Sequence, residues 1–366
     1  MKKFAVALLA LTVAVFLAAP AMAEFSPYGS VRLGTFWKTH EPAAPGADTD
    51  SDLVMPFGNY SRFGGKFKTG DISGHVELGL KGAEDGNAVY QRLLYGKWDM
   101  GGGTTLLVGQ DYCPYTHISA QVSPGFYDLE NYFIGYGCLW NGRQPQIRLD
   151  TAGGLYAGLI RPQVPGKNAA GLQKGPSGAT AGGDLDVTMP KICVGYKIKG
   201  EGMMLNVGIG YNTYKYKEGT FSESVTSQII YLNGKMALGP ADLKFSVHTG
   251  QNVGDFGISG RETAAVARVD AGGELENSTC MGYYVQAAFK VDPATITVGY
   301  GSTKSENDNW GTDADTQSSY FVNAKIPIAK TFFVVPEYSI YDGGDKYDGG
   351  EDDDYSYMGV LLQMNF

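Results

Sequence analysis

Tyr355-Ser356-Tyr357-Met358-Gly359-Val360-Leu361-Leu362-Gln363-Met364-Asn365-Phe366 closes the chain. Met358, Val360, Leu362, Met364 and Phe366 recur at the two-residue period of a β-strand and so share one face. The same alternation appears upstream. Leu243, Phe245 and Val247 oppose Lys244, Ser246 and His248, and Met281, Tyr283, Val285, Ala287 and Phe289 oppose Gly282, Tyr284, Gln286, Ala288 and Lys290. Strands that are apolar outward and polar inward over about ten residues are what a closed barrel in lipid requires.

Working outward from that strand, the pattern predicts strands near 26–37, 58–68, 72–81, 88–99, 104–110, 144–150, 154–161, 188–198, 202–214, 225–238, 242–251, 278–290, 294–303, 317–328, 331–341 and 355–366. That makes sixteen. Turns near 70, 101, 152, 200, 240, 292 and 329 are short, and the connections between them are expected to be long. Both chain termini then fall on the periplasmic side. A soluble β-sandwich needs no such regular long–short alternation. The expected fold is all-β, a transmembrane antiparallel barrel of about 16 strands.

At the other end, Lys2 and Lys3 precede the uncharged apolar run Phe4 to Ala19, followed by Ala21-Met22-Ala23. A basic start, a short apolar run and a small-x-small site are the marks of an export signal. Residues 1–23 are therefore expected to be removed, leaving 24–366 as one domain. No other uncharged run reaches the roughly 20 residues of a spanning helix. The 52 Gly and 24 Tyr suit a curved wall with aromatic girdles. With 29 basic against 38 acidic residues and no basic tract, nucleic acid is not an expected partner. No His-Glu-x-x-His, Gly-x-Ser-x-Gly or phosphate-binding glycine loop is present, and the four histidines are scattered, so an enzyme is not expected.

Several segments carry a resemblance. A terminal Phe on an alternating strand resembles the signal that bacterial outer-membrane proteins present to their assembly machinery. Tyr60-Ser-Arg-Phe-Gly-Gly-Lys-Phe-Lys68, Gln91-Arg-Leu-Leu-Tyr-Gly-Lys-Trp98 and Gly103-Thr-Thr-Leu-Leu-Val-Gly-Gln110 resemble the early strands of general trimeric porins of Gram-negative bacteria. More diffusely, the mature chain resembles homotrimeric porins of sulfate-reducing bacteria. The resemblance implies a sixteen-stranded homotrimer in the outer membrane, in contact with its lipid and lipopolysaccharide. It would form a water-filled pore for passive diffusion of ions and small hydrophilic solutes. The alternative it leaves is a substrate-specific channel for a sugar or an oxyanion. It also implies that 111–143 is a constriction loop folded into the lumen. Arginines on the wall would face acidic residues on that loop: Arg62, Arg92 and Arg148 opposite Asp128 and Glu130. Segment 88–99, with Leu93, Tyr95 and Trp98, is the expected intersubunit contact.

Inward positions are expected for Arg62, Lys66, Lys68, Arg92, Arg148, Lys197, Lys244 and Lys290, against Glu77 and Asp150, a lumen that favours anions. Of the four cysteines, Cys113 and Cys138 lie near the two ends of the long loop, whereas Cys193 and Cys280 fall on strands about 20 Å apart at the usual strand spacing. A Cys113–Cys138 disulfide is the expected pairing. A bridge from a loop cysteine to Cys193 or Cys280, and four free thiols, are the alternatives. The acidic stretches 48–52 and 342–354 read as solvated loop tips linked to lipopolysaccharide by divalent cations. A specific Ca²⁺ site there is the alternative, and no other cofactor or metal is expected.

Overall fold

In the computed structural model, residues 24–55, 61–80, 89–124, 135–162, 173–174, 179–180, 184–258, 265–269, 274–307, 314–347 and 349–366 are described. Residues 1–23 lie outside them. Sixteen strands form the wall. They are β1 Glu24–Glu41, β2 Arg62–Thr69, β3 Ile72–Leu80, β4 Val89–Asp99, β5 Thr104–Tyr112, β6 Arg143–Thr151, β7 Leu155–Ile160 and β8 Lys191–Gly200. The second half is β9 Met203–Glu218, β10 Phe221–Leu238, β11 Ala241–Gln251, β12 Thr279–Val291, β13 Ala294–Glu306, β14 Asp315–Ala329, β15 Phe332–Asp342 and β16 Asp354–Asn365. Each pairs antiparallel with the next. β16 returns to β1 over Ser30↔Asn365 to Glu41↔Asp354, which closes the barrel and leaves no open edge. No described helix is long and apolar enough to cross a membrane.

The two faces follow the sequence pattern. On β9, Val207, Ile209 and Tyr211 are exposed outward, whereas Asn206 and Asn212 are buried inward. On β14, Tyr320 and Val322 face out, and Gln317, Ser319, Phe321 and Asn323 face in. Neighbouring outward tyrosines meet across strands: Tyr283 lies tilted to Tyr300 at 5.9 Å between ring centroids, and Tyr300 stacks on Tyr320 at 6.0 Å. They form part of an interfacial aromatic belt.

Two departures from the expected pattern have local causes. The outer connection between β9 and β10 is a two-residue turn at Gly219–Thr220, not a long loop. The ladder continues from Tyr214↔Val225 to Glu218↔Phe221. That extension is held by an apolar cluster of Tyr214, Tyr216, Val225, Ala267 and Val269. The second departure is a β-bulge. Between β3 and β4 the register slips from Glu77↔Leu93 to Leu78↔Gln91, so Arg92 is an extra residue. Arg92 and Leu93 are in consequence both buried. Leu93 and Tyr95 therefore face the lumen rather than a neighbouring subunit, and the outer face of β4 carries exposed Leu94 and Trp98.

The seam depends on the last residue. The Phe366 amide donates to the Gly29 carbonyl at 3.1 Å, and the Gly29 amide donates to the Phe366 carbonyl at 2.7 Å. A Cβ on Gly29 would lie 2.4 Å from the Phe366 ring. Gly29→Val should therefore push the Phe366 ring off the seam and cost about 1 kcal/mol. Urea unfolding in lipid vesicles, followed by the heat-modifiable band on gels, would show a lower midpoint; an unchanged midpoint would contradict it.

Candidate functional site

The lumen has two unlike sides. On the first, β1 to β8 present a basic strip. Arg62 Nε lies 3.6 Å from Glu77 Oε2. The bulged Arg92 donates from Nε to Glu77 Oε1 at 2.6 Å, and the Tyr28 hydroxyl donates to Glu77 Oε2 at 2.7 Å. Arg148 donates from Nε to Asp150 Oδ2 at 2.9 Å and stands 3.5 Å from Asp111 Oδ2. Lys197 Nζ lies 3.7 Å from Asp150 Oδ1. Toward the short turns, Lys66, Lys68, Lys97, His75 and Tyr95 line a cavity of about 340 Å³. Glu77, Asp111 and Asp150 thus stand among Arg62, Arg92, Arg148, Lys66, Lys97 and Lys197, and the strip is net basic.

On the second side, the inserted loop lies flat against the wall. Its outgoing arm, 113–124, crosses successive strands, and an inward polar side chain meets its backbone at most of them. Asn206 of β9 donates to the Pro114 carbonyl at 2.9 Å, and Asn233 of β10 to the Tyr115 carbonyl at 2.8 Å. Lys244 of β11 reaches the Ile118 carbonyl at 3.5 Å. The Ala120 amide donates to Gln286 of β12 at 2.9 Å, and its carbonyl accepts from Asn323 of β14 at 2.8 Å. Glu337 of β15 then takes the amides of Val122 and Ser123, both at 2.8 Å. A backbone buried away from water needs such partners. Burial pushes the His117 imidazole on this arm down to about 3, which keeps it neutral. The return arm passes so close to the wall that a Cβ on Gly137 would lie 1.9 Å from the Tyr283 carbonyl oxygen, and its φ of +75° also suits glycine.

The structure places Arg62, Arg92 and Arg148 on one side of the lumen wall. Asp128 and Glu130 lie outside the described residues. The carboxylates found beside the arginines are on the wall itself: Glu77, Asp111 and Asp150. The Cys113–Cys138 disulfide is not formed, and all four cysteines are free and buried. Cys113 packs with Tyr115 and Cys193, while Cys138 packs with Tyr284 and Phe321. The two arms run side by side, with the His117 amide donating to the Leu139 carbonyl at 3.0 Å, but their register sets Cys113 beside Asn141 and Cys138 beside Tyr284, which keeps the thiols in separate clusters. Burial pushes the Cys113 thiol up to about 11, so it stays protonated. No group of three or more His, Cys, Asp or Glu side chains among the described residues is placed to hold a metal ion.

The loop's partners Asn206, Asn233, Gln286, Asn323 and Glu337 escaped the sequence reading. Their only signal was an amide or carboxylate at inward positions of successive strands.

A family model described as Gram-negative porin matches residues 10–330. The chain belongs to that family. It is an outer-membrane porin, a channel for passive diffusion. Its fold resembles the outer membrane channel DcaP of Acinetobacter baumannii, with a TM-score of 0.72 at 16% identity over 95% of this chain and 99% of that one. An anion-selective porin from Comamonas acidovorans matches at 0.59 and 14% identity, covering 94% of this chain and 100% of that one. OmpF of Salmonella typhi matches at 0.58 and 12%, covering 94% and 98%. At these identities the likeness is one of fold. No curated protein matches the chain by sequence.

In this porin Glu337 is the latch of the inserted loop. Glu337→Ala would strand two buried amides and cost the docked loop about 3 kcal/mol. The expected result is a folded barrel whose single-channel current becomes noisier, with new protease cleavage between 113 and 143. Quiet wild-type current in the variant would refute the latch.

Proposed function

We propose that this porin passes small hydrophilic solutes with a preference for anions, and that it works as a homotrimer. The observation that carries the ion preference is the basic strip opposite the inserted loop. A solute crossing the narrow region passes between the inserted loop and a wall whose cations outnumber its carboxylates. Charge lining a wet constriction sets which ion enters. Glu77, Asp111 and Asp150 hold the arginines in place without neutralising the strip.

A second reading has an observation of its own. Tyr112 and Trp140 lie 5.9 Å apart, and the Arg143 guanidinium stands 5.5 Å from each ring. An aromatic pair joined to a guanidinium suits a sugar face or an oxyanion, as in a substrate-specific channel. Liposome swelling with a graded sugar series separates the two: a smooth fall of rate with size belongs to a diffusion pore, and one outlying sugar to a specific channel.

The export signal at 1–23 and contact with lipopolysaccharide are part of the same proposal. Of the acidic outer residues, His40 Nε2 sits 2.9 Å from Asp353 and Lys346 sits 3.0 Å from Asp352. Lys346 thus already balances part of the cluster, which favours divalent bridging to lipopolysaccharide over a dedicated Ca²⁺ site.

In planar bilayers under a salt gradient, the reversal potential should indicate anion preference. Arg148→Ala with Lys197→Ala leaves Asp111 and Asp150 less compensated, and the anion-to-cation permeability ratio should fall by roughly twofold or more. Cation selectivity of the unaltered protein would overturn the reading. The trimer should survive SDS and collapse to monomer on heating; a monomeric mass in mild detergent would sink it.

A further inference from the structure

We propose that a second loop segment, Asn252–Ile258 between β11 and β12, is a further constriction element that seals the lumen along β7 to β11 and clamps the base of the inserted loop. The size limit of the pore is then set by both loops together. This rests on the reading of the lumen as a conducting pore.

All seven residues of the segment are buried. Val253 to Phe256 form one turn of 3₁₀-helix that points inward rather than out into solvent. Its Phe256 ring lies against the wall at Gly210 of β9, where a Cβ would be 2.4 Å from the ring. The outward neighbours Ile209 and Ile230 are exposed apolar residues, so this contact lies at the depth of the lipid-facing band. Phe256 also meets Tyr115 of the inserted loop at 5.7 Å, edge to face. With Tyr156, Tyr231, Ile160, Ile229 and Cys193 it completes one dry cluster where a half-open barrel would hold water.

The segment is fastened at both faces. Toward the wall, the Asp255 carboxylate accepts from Ser227 of β10, and from Asn212 of β9 at 3.4 Å. Lys191 of β8 donates to the Asp255 carbonyl, and its ammonium stands 4.8 Å from the Phe256 ring centre. Toward the inserted loop, the Trp140 amide donates to the Gly257 carbonyl at 2.5 Å, and Leu139 bridges to Ile258. Burial pushes the Asp255 carboxyl up to about 6, consistent with an anchor shielded from the pore water. The segment thus ties the return arm of the inserted loop to β8, β9 and β10.

The test uses single-channel conductance and a graded sugar series on the full-length porin, after a heat-modifiable band shows that the barrel has folded. The variants are Asp255→Ala with Phe256→Ala, which removes anchor and seal, and Lys191→Met, which leaves the loop sequence intact and works from the wall. Both should raise conductance by roughly 1.5-fold and admit larger sugars, because the pore cross-section grows. Asp255→Asn, which keeps hydrogen-bonding capacity, should stay near the unaltered protein. Ion preference should not move, since the basic strip is untouched; this separates a lost seal from general loosening. If the unaltered protein conducts and both folded variants keep its conductance and sugar limit, the seal is overturned while the pore reading stands. If the unaltered protein does not conduct, the pore reading itself fails. Should the double variant not fold, Lys191→Met carries the decision alone.

Discussion

A backbone amide in hydrocarbon has no water to bond, and the rest of this structure depends on that constraint. It forces every wall strand to pair on both sides, and it forces the last strand back onto the first. The terminal Phe366 sits at that seam with its backbone bonded to Gly29 and its ring over a position with no side chain. Closure also fixes register. Once β16 lies against β1 over twelve residue pairs, a slip of one residue would turn the whole apolar face of a strand inward.

The same constraint operates inside the barrel. A loop folded into the lumen carries as many polar backbone groups as any other and loses water along the side that touches the wall. The wall answers with side-chain amides, the Lys244 ammonium and one carboxylate spaced around its circumference. These side chains do not line the conducting path; they make it one-sided. By holding the loop against β9 to β15, they leave the basic strip of β1 to β8 on the opposite side of the lumen. The bulge at Arg92 belongs to the same design, since an unbroken ladder would point neighbouring residues to opposite faces. The extra residue lets both Arg92 and Leu93 turn inward, and Arg92 finds Glu77 there.

Buried charge on the basic side is held in place by pairing. Arg92 is 1% exposed and would be costly without Glu77, which also receives Tyr28 and lies near Arg62. One carboxylate thus orients several groups and leaves a surplus of positive charge. The residues nearer the water, Lys66, Lys97 and Lys197, carry that surplus toward the short-turn end of the lumen.

The sequence by itself determined the class of fold, the number of strands and the positions of the short turns, because a two-residue period and turn glycines are local properties. It also placed Arg62, Arg92 and Arg148 on the lumen wall. It missed the two-residue turn at Gly219, because the strands there continue beyond the membrane on polar residues that read as loop. It paired Cys113 with Cys138 from their nearness to the loop ends, whereas the two arms meet in a register that sets Cys113 beside Asn141 and Cys138 beside Tyr284. The partners of the loop backbone and the ties of the turn at Asn252–Ile258 to the wall are contacts between residues tens to hundreds of positions apart. Only barrel closure brings them within reach, and no local period or spacing encodes which inward side chain will meet which loop amide.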